Sequence, residues 1–338
     1  MRRVIHNFSP DIVHLNLYLT QLSPLILWAM RGVPVVHYVQ WYRTLCPLGT
    51  RHLPKGSSCQ SRQGLICLLE GCVPPRDIAP RLLQMVMDRH LARHHITNFI
   101  AISHTVATAL RKYGHPNQRS AVVLYPGTAV VEPRQGMTSE PTVVTAGRLV
   151  MEKGVQVLIE AFALVASKHP TVKLQVIGDG PARADLEQRV AQLNLRQHVI
   201  FAGLRSHTET MEAIRAAWVV CVPSLWMEPF GMIAVEAQMQ GVAVVASRIG
   251  GLSEIVVDGI TGHLVAPGDC RALAMCLQGI FAEPGRTHAM GRAAHQHARI
   301  HFSLEKSADQ WEDAYNSLIM KKKQICTQDA SNQDRCSN

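Results

Sequence analysis

Trp226-Met-Glu-Pro-Phe-Gly-Met-Ile-Ala-Val-Glu236 places two carboxylates, Glu228 and Glu236, around the start of one helix. Pro229 suits a first helical turn, Gly231 lets a ligand approach the backbone, and Met232, Ile233, Val235 and Ala237 supply a buried side, so the helix is expected to begin near Phe230. Eight residues at about 100° each return Glu236 to roughly the face on which Glu228 enters, about 9–12 Å further along at ~1.5 Å per residue. That gap is too long for one metal ion or an acid/base dyad. It suits an extended polar ligand whose anionic group sits at the helix N-terminus, where free N–H groups and the helix dipole favour negative charge. The alternative is a solvated acidic pair on an ordinary amphipathic helix.

The flanking sequence favours the ligand reading. Trp218-Val-Val-Cys-Val-Pro-Ser224 upstream and Gly241-Val-Ala-Val-Val-Ala246 downstream are short buried strands. Strand, loop, helix, strand is a parallel crossover unit, and ligands in such sheets collect at the carboxyl ends of the strands. A second such edge follows Thr142-Val-Val-Thr-Ala-Gly147: Arg148 leaves the strand, and Lys153 precedes Gly154 at the opening of a helix over Val155–His169. Two cations beside a helix N-terminus oppose the dipole unless an anion joins them, so this is an anion site. Two strands end at Gly178-Asp-Gly-Pro and at Gly203, and Gly250-Gly251 lets another loop pass close to a ligand.

Taken together, Glu228-Pro-Phe-Gly with Glu236, Ala146-Gly-Arg-Leu-Val-Met-Glu-Lys-Gly154, Val176-Ile-Gly-Asp-Gly-Pro181 and Gly250-Gly-Leu-Ser-Glu254 resemble a retaining glycosyltransferase of family 4, in the group 1 class, from about residue 140 to 305. The resemblance implies an α/β fold of two Rossmann-like lobes, the GT-B type. Residues 1–135 would form the acceptor-side lobe, 140–302 the nucleotide-sugar lobe, and a helix over 303–320 would cross back; residues 132–141 read as the linker and 321–338 as a disordered tail. It also implies roles. Arg148 and Lys153 would neutralise a leaving diphosphate, with no divalent metal and no cofactor beyond the nucleotide-sugar co-substrate. Glu228, with the backbone of Phe230, Gly231 and Met232, would hold the donor sugar, and Glu236 the ribose. Gly178 would face the diphosphate and Gly203 frame the nucleobase. The family context points to polysaccharide or glycolipid biosynthesis.

The first part of the chain departs from the family pattern. Its usual opening strand and Gly-rich turn are missing, which implies a first lobe shortened by the first elements of a doubly wound sheet and an exposed strand edge. Tyr42, Arg43, Cys46 and Pro47 match a subfamily pattern, but Gln40 and Trp41 stand where His-Asn is usual. His14 matches an acceptor-side histidine, whereas Asn16 replaces a second one; His14 in an apolar strand is equally explained as a core histidine. These departures support an alternative, a nucleotide-sugar-binding subunit without turnover. A second alternative, a sugar-nucleotide epimerase of the same fold, needs an acid/base set in the first lobe that His14 and His37 scarcely supply.

Composition sets the remaining bounds. The 338 residues are 47% hydrophobic and carry a formal charge of +9, enough for two ordinary cores, and contain neither a signal peptide nor a 20-residue apolar span. A cytoplasmic protein is expected, with a membrane-peripheral face as an option. Residues 1–139 hold 15 Lys/Arg against 5 Asp/Glu, and the remainder 19 against 20, so the halves carry +10 and −1. All the excess positive charge lies on the acceptor side, which suggests an anionic or lipid-linked glycan acceptor or an anionic membrane surface. The basic residues form no aromatic-interleaved stripe, which argues against nucleic acid. The helix around Asp77–Leu91, with Met85, Met87, Arg81, Arg89 and Arg93, either packs on the core or lies on a membrane. Cys46, Cys59, Cys67 and Cys72 fit no standard zinc spacing and are expected as free thiols, with a structural metal site as the alternative.

Overall fold

The computed structural model describes residues 1–20, 22–53, 56, 59–62, 64–114 and 116–333. It divides into two compact units.

The first unit comprises residues 1–55, 59–126 and the chain from Glu305 onward. Its elements are α1 (Arg2–Phe8), β1 (Val13–Asn16), β2 (Val35–Val39), α2 (Ile66–Leu69), α3 (Ile78–His95), β3 (Asn98–Ala101), α4 (His104–Tyr113) and β4 (Val122–Val123). The strands form one parallel sheet in the order β1-β2-β3-β4. Every residue of β2 is buried, the Val-Val-His-Tyr-Val run that a parallel strand covered on both faces requires. Helix α4 is capped by Ser103: Val106 N–H donates to Ser103 Oγ at 3.1 Å, and Val106, Ala107 and Leu110 turn inward. Pro24–Met30 winds as 3-10 helix, and Arg2–Phe8 forms the opening helix.

The second unit runs from Gly127 to Leu304. It contains β5 (Thr142–Ala146), α5 (Val155–Ala166), β6 (Lys173–Ile177), α6 (Arg183–Gln192), β7 (Val199–Gly203), α7 (His207–Ala216), β8 (Val219–Val222), α8 (Met232–Met239), β9 (Ala243–Ser247), α9 (Leu252–Ile255), β10 (Gly262–Val265), α10 (Cys270–Ala282) and α11 (Pro284–Phe302). The sheet is parallel throughout, in the order β10-β9-β8-β5-β6-β7. From β5 the chain winds outward through β6 and β7, then returns to place β8 on the other side of β5. That reversal opens a crevice at the carboxyl ends of β5 and β8, the place where open parallel sheets bind ligands. Val143, Leu158, Phe162, Leu174, Val219, Val245 and Leu277 are fully buried beneath it and fix the strand ends.

The boundary and the two ends of the second unit differ from the sequence reading. The division falls at Pro126/Gly127 instead of near residue 135, and 132–141 is a strap on the second unit. Buried Arg134 holds it, with its guanidinium donating to the carbonyls of Ala217 and Trp218 (3.3 Å for the latter), while Trp218 Nε1 donates to Thr138 O at 2.8 Å. Burial without a carboxylate lowers the Arg134 pKa to about 10. Helix α5 stops at Ala166, short of His169. The closing helix α12 (Leu304–Gln333) continues well past 320, because Leu304–Gln333 contains no glycine or proline to end it. Residues 321–333 are therefore helical, and 334–338, the rest of the expected tail, lie outside the described residues. No helix among the described residues is long and apolar enough to cross a membrane.

Candidate functional site

Three loops meet at the carboxyl ends of β5 and β8. The loop after β5 is tied to the one after β8 where Leu225 N–H donates to Glu152 O at 2.8 Å. Gly154, at φ 72°, makes that approach possible: a Cβ there would sit 1.9 Å from Pro223 O. Because Lys153 and Glu228 flank this joint, their side chains converge. Lys153 Nζ donates to Glu228 Oε2 at 2.8 Å and to Oε1 at 3.0 Å. Ser224 Oγ and Trp226 Nε1 donate to the same Oε2 at 3.0 and 2.9 Å. The Lys153 ammonium also lies 5.4 Å from the Trp226 ring centroid, a cation–π distance. Glu228 is thus a buried, caged carboxylate. Its two lysine bonds leave Lys153 one further N–H for another partner.

The loop after β9 backs this cage. Gly251 N–H donates to Glu228 O at 2.8 Å, and a Cβ on Gly250 would lie 2.2 Å from Glu228 O. Gly250 and Gly251 therefore let one loop pass close to the Glu228–Phe230 backbone. Gly231 is packed in the same way, since an added Cβ would meet the Leu252 side chain at 2.6 Å. Helix α8 begins at Met232 with Gly231 as its N-cap, later than the expected start near Phe230. Pro229 stays outside the helix, and the Phe230 ring is core, packed edge-on against Phe302 at 5.7 Å between centroids.

Glu236 lies in the second turn of α8 and meets His207 at the start of α7, with His207 Nε2 donating to Oε1 at 3.2 Å. Arg148 stays exposed and makes a long ion pair with Glu152 at 3.8 Å. The structure thus joins Lys153 to Glu228 and puts Arg148 on the same loop without drawing it into the cage. Gly178 and Gly203 are adjacent, with Gly178 N–H donating to Gly203 O at 2.8 Å. The backbone of Gly178 also crosses that of Gly147 so closely that a Cβ would lie 1.9 Å from Gly147 O. This brings the ends of β5, β6 and β7 to one rim.

His14 is in the first unit and is engaged by the closing helix. Asn16 Oδ1 accepts from His14 Nε2 at 3.2 Å, which makes Nδ1 the acceptor for the Tyr315 hydroxyl at 2.5 Å. The imidazole lies 4.7 Å from the Trp311 ring, and burial lowers its pKa. Asn16, where the family pattern has histidine, therefore fixes the neutral tautomer of His14. Cys46, Cys59, Cys67 and Cys72 are free thiols, and burial pushes Cys72 up to about 11. Among the described residues no three His, Cys, Asp or Glu side chains are grouped to hold a metal ion.

Sequence reasoning missed Ser224 and Trp226 as the cage of Glu228, and His207 as the partner of Glu236. Trp226 and Ser224 stand two and four residues before Glu228, so the loop itself carried the signal. His207 had none, since only the packing of α7 beside α8 brings it to Glu236.

Comparison with known proteins agrees with this architecture. The profile of the glycosyl transferases group 1 matches residues 132–297. D-inositol 3-phosphate glycosyltransferase of Corynebacterium urealyticum is 30% identical over 333 residues, spanning 93% of this chain and 73% of that protein. Glycogen synthase of Mycobacterium tuberculosis is 32% identical over 175 residues, which is 52% of this chain and 42% of that protein. Among solved structures, Anabaena HepE in complex with UDP superposes with a TM-score of 0.73 at 22% identity, covering 94% of this chain and 80% of that one. Sucrose-phosphate synthase of Thermosynechococcus elongatus gives 0.67 at 23% identity, covering 95% and 76%. These structures share the two-domain, parallel-sheet Rossmann-like fold. A crevice at a strand-order reversal, rimmed by glycine turns and holding a caged Lys–Glu pair, occurs here in a chain that belongs to the group 1 glycosyl transferases.

Proposed function

We propose that the protein is a retaining, metal-independent glycosyltransferase of family 4, which moves a sugar from a nucleotide-sugar donor to an acceptor hydroxyl. The observation that carries this reading is the Lys153–Glu228 pair, held by Ser224 and Trp226 at the β5/β8 crevice. In this mechanism the bond between the anomeric carbon and the diphosphate oxygen breaks with its electron pair passing to the phosphate. The acceptor oxygen bonds to the same face of that carbon, and the departing phosphate takes the acceptor proton. Negative charge grows on the leaving group, so the spare Lys153 N–H, Arg148 and the α8 N-terminus lower the barrier; one such donor is worth ~3 kcal/mol, or ~100-fold in rate. Glu228 holds Lys153 in place and takes a sugar hydroxyl on Oε1. Glu236 takes the ribose hydroxyls, and the Gly178 and Gly203 turns frame the diphosphate and base.

The acceptor side is assigned to the first unit, and the pathway to polysaccharide or glycolipid assembly in the cytoplasm at a membrane face. On that unit Val4, Phe8, Leu25 and Trp28 are exposed beside Arg2, Arg3 and Arg31, and Arg2 and Arg31 both lie over the Trp28 ring. This apolar and cationic mixture suits an anionic bilayer surface. A second reading, donor binding without turnover, draws on one observation: His14 is occupied by Asn16, Tyr315 and Trp311. Calorimetry with UDP-, GDP-, ADP- and CDP-sugars, with product release followed in parallel, tests both readings. The transferase reading expects binding and turnover of one donor, with binding abolished in Lys153→Ala and Glu236→Ala. Unchanged nucleotide affinity in these variants refutes the site assignment, and binding without turnover favours the second reading.

A further inference from the structure

Glu236 stands on α8 with a side chain only 17% exposed, and His207 opens α7, the helix packed beside it. In the proposed function Glu236 takes the ribose hydroxyls, which requires its carboxylate to be held in one orientation. A glutamate side chain has three torsions to fix, among the larger losses of rotamer freedom for any residue, and a ligand that must fix them on arrival binds more weakly. Among the described residues the one hydrogen bond to this carboxylate comes from His207 Nε2, which meets Oε1 at 3.2 Å.

His207 contributes that bond and little else. Its side chain is 73% exposed, so it adds almost nothing to the core. The start of α7 is fixed without it: Ser206 Oγ accepts from Glu209 N–H at 3.2 Å, and Glu209 Oε2 accepts from Ser206 N–H at 2.9 Å. This capping box sets the first turn of α7 and so brings the imidazole across to α8. With Oε1 anchored by one N–H, Oε2 and the second lone pair of Oε1 remain for the two neighbouring hydroxyls of a ribose. The same helix start follows closely on Gly203, the turn given the nucleobase in the proposed function.

We propose that His207 is a positioning residue, which holds the Glu236 carboxylate in the orientation that receives the ribose and so makes the site prefer ribonucleotides over their deoxy counterparts. This rests on the donor reading of Glu236, and the experiment separates the two. Calorimetry on the full chain compares UDP, GDP, ADP and CDP, each beside its 2′-deoxy and 3′-deoxy counterpart, in the parent, His207→Ala, His207→Gln and Lys153→Ala.

The nucleoside diphosphate that binds the parent should bind His207→Ala about three- to tenfold more weakly, the loss of one hydrogen bond to a charged group from a donor partly open to water. His207→Gln keeps an N–H donor and should recover most of that loss. For the deoxy counterpart that lacks the hydroxyl held by Glu236, the His207→Ala loss should shrink to about twofold or less, because the oriented carboxylate then has less to receive. A merely structural role for His207 predicts equal losses for ribo- and deoxynucleotides, and that result overturns the proposal. So does affinity unchanged in His207→Ala, or raised in it because the imidazole competes with the ribose for the carboxylate, or no recovery in His207→Gln. If Lys153→Ala abolishes binding while His207→Ala leaves it unchanged, the donor reading stands and this one falls. If none of the four nucleoside diphosphates binds the parent, the donor reading fails first and takes this one with it.

Discussion

Replacing Lys153 by Met keeps the length of the side chain and removes its charge, which isolates what the ammonium does for Glu228. The Glu228 side chain is only 9% exposed and loses two bonds of 2.8 and 3.0 Å, while those from Ser224 and Trp226 remain. Breaking a buried pair costs about 3–5 kcal/mol because the other charge stays desolvated. Lys153 is itself 31% exposed, and two neutral donors still serve Glu228, so the expected loss falls at the lower end, about 2–3 kcal/mol. At ~2–4 °C per kcal/mol for a domain of this size, the second unit should melt about 4–12 °C lower.

The pairing argument makes a sharper demand of the double variant. Lys153→Met with Glu228→Gln removes the stranded charge, so it should be more stable than Lys153→Met alone, with a coupling of about 1–3 kcal/mol. The assay is a double-mutant cycle in denaturant. Hydrogen exchange on peptides covering 219–239 assigns the change to the second unit, since the two units need not unfold together. A Lys153→Met variant as stable as the parent, or a double variant whose loss equals the sum of the two single losses, refutes the cage as the organising contact of this site.

Other perturbations act at separate places. Gly154→Ala should destabilise the second unit by more than about 3 kcal/mol and abolish donor binding, because its Cβ would lie 1.9 Å from Pro223 O at a φ of 72°; thermal melting and calorimetry on the same sample check both effects. Asp88 has a folded pKa of about 6, raised from 3.8 by burial, so its protonated form favours the fold. Its contribution is complete below pH 3.8 and is lost as pH rises through about 6; Asp88→Asn, which can still accept from Tyr18, should remove that loss from a stability–pH curve of the first unit. Trp28→Ala and Arg31→Glu should each release the protein from phosphatidylserine vesicles in co-sedimentation and leave neutral phosphatidylcholine vesicles unaffected. Equal retention of the variants on anionic vesicles refutes that face as the membrane contact.

Local sequence carried much of the second unit. The β-branched runs at 142–146, 172–177, 199–203, 218–224 and 241–246 are strands within a residue or two of where they were expected, because a buried parallel strand needs little besides apolar, branched residues. The Gly154 opening of α5 was equally legible, since a glycine ahead of an apolar helical run marks a helix start. The helix at Met232 began late because Pro229 and Phe230 were weighed by propensity alone. Packing of Phe230 against Phe302 holds that residue in the core and leaves Gly231 to start the helix.

The sequence by itself determined that the chain is a parallel α/β protein with glycine turns, cations and acids at its strand ends. Only the tertiary structure decided which of those residues meet. The insertion of β8 beside β5 brings Lys153 to Glu228 across 75 positions, and the return of α12 to the first unit brings Tyr315 to His14 across 301. Hydrophobic period fixes an element's type and inner face, but the choice of neighbour depends on pairing between distant segments, to which a local pattern is blind. For the same reason Glu228 read as a carboxylate awaiting a ligand, and the folded chain supplies it with Lys153, Ser224 and Trp226.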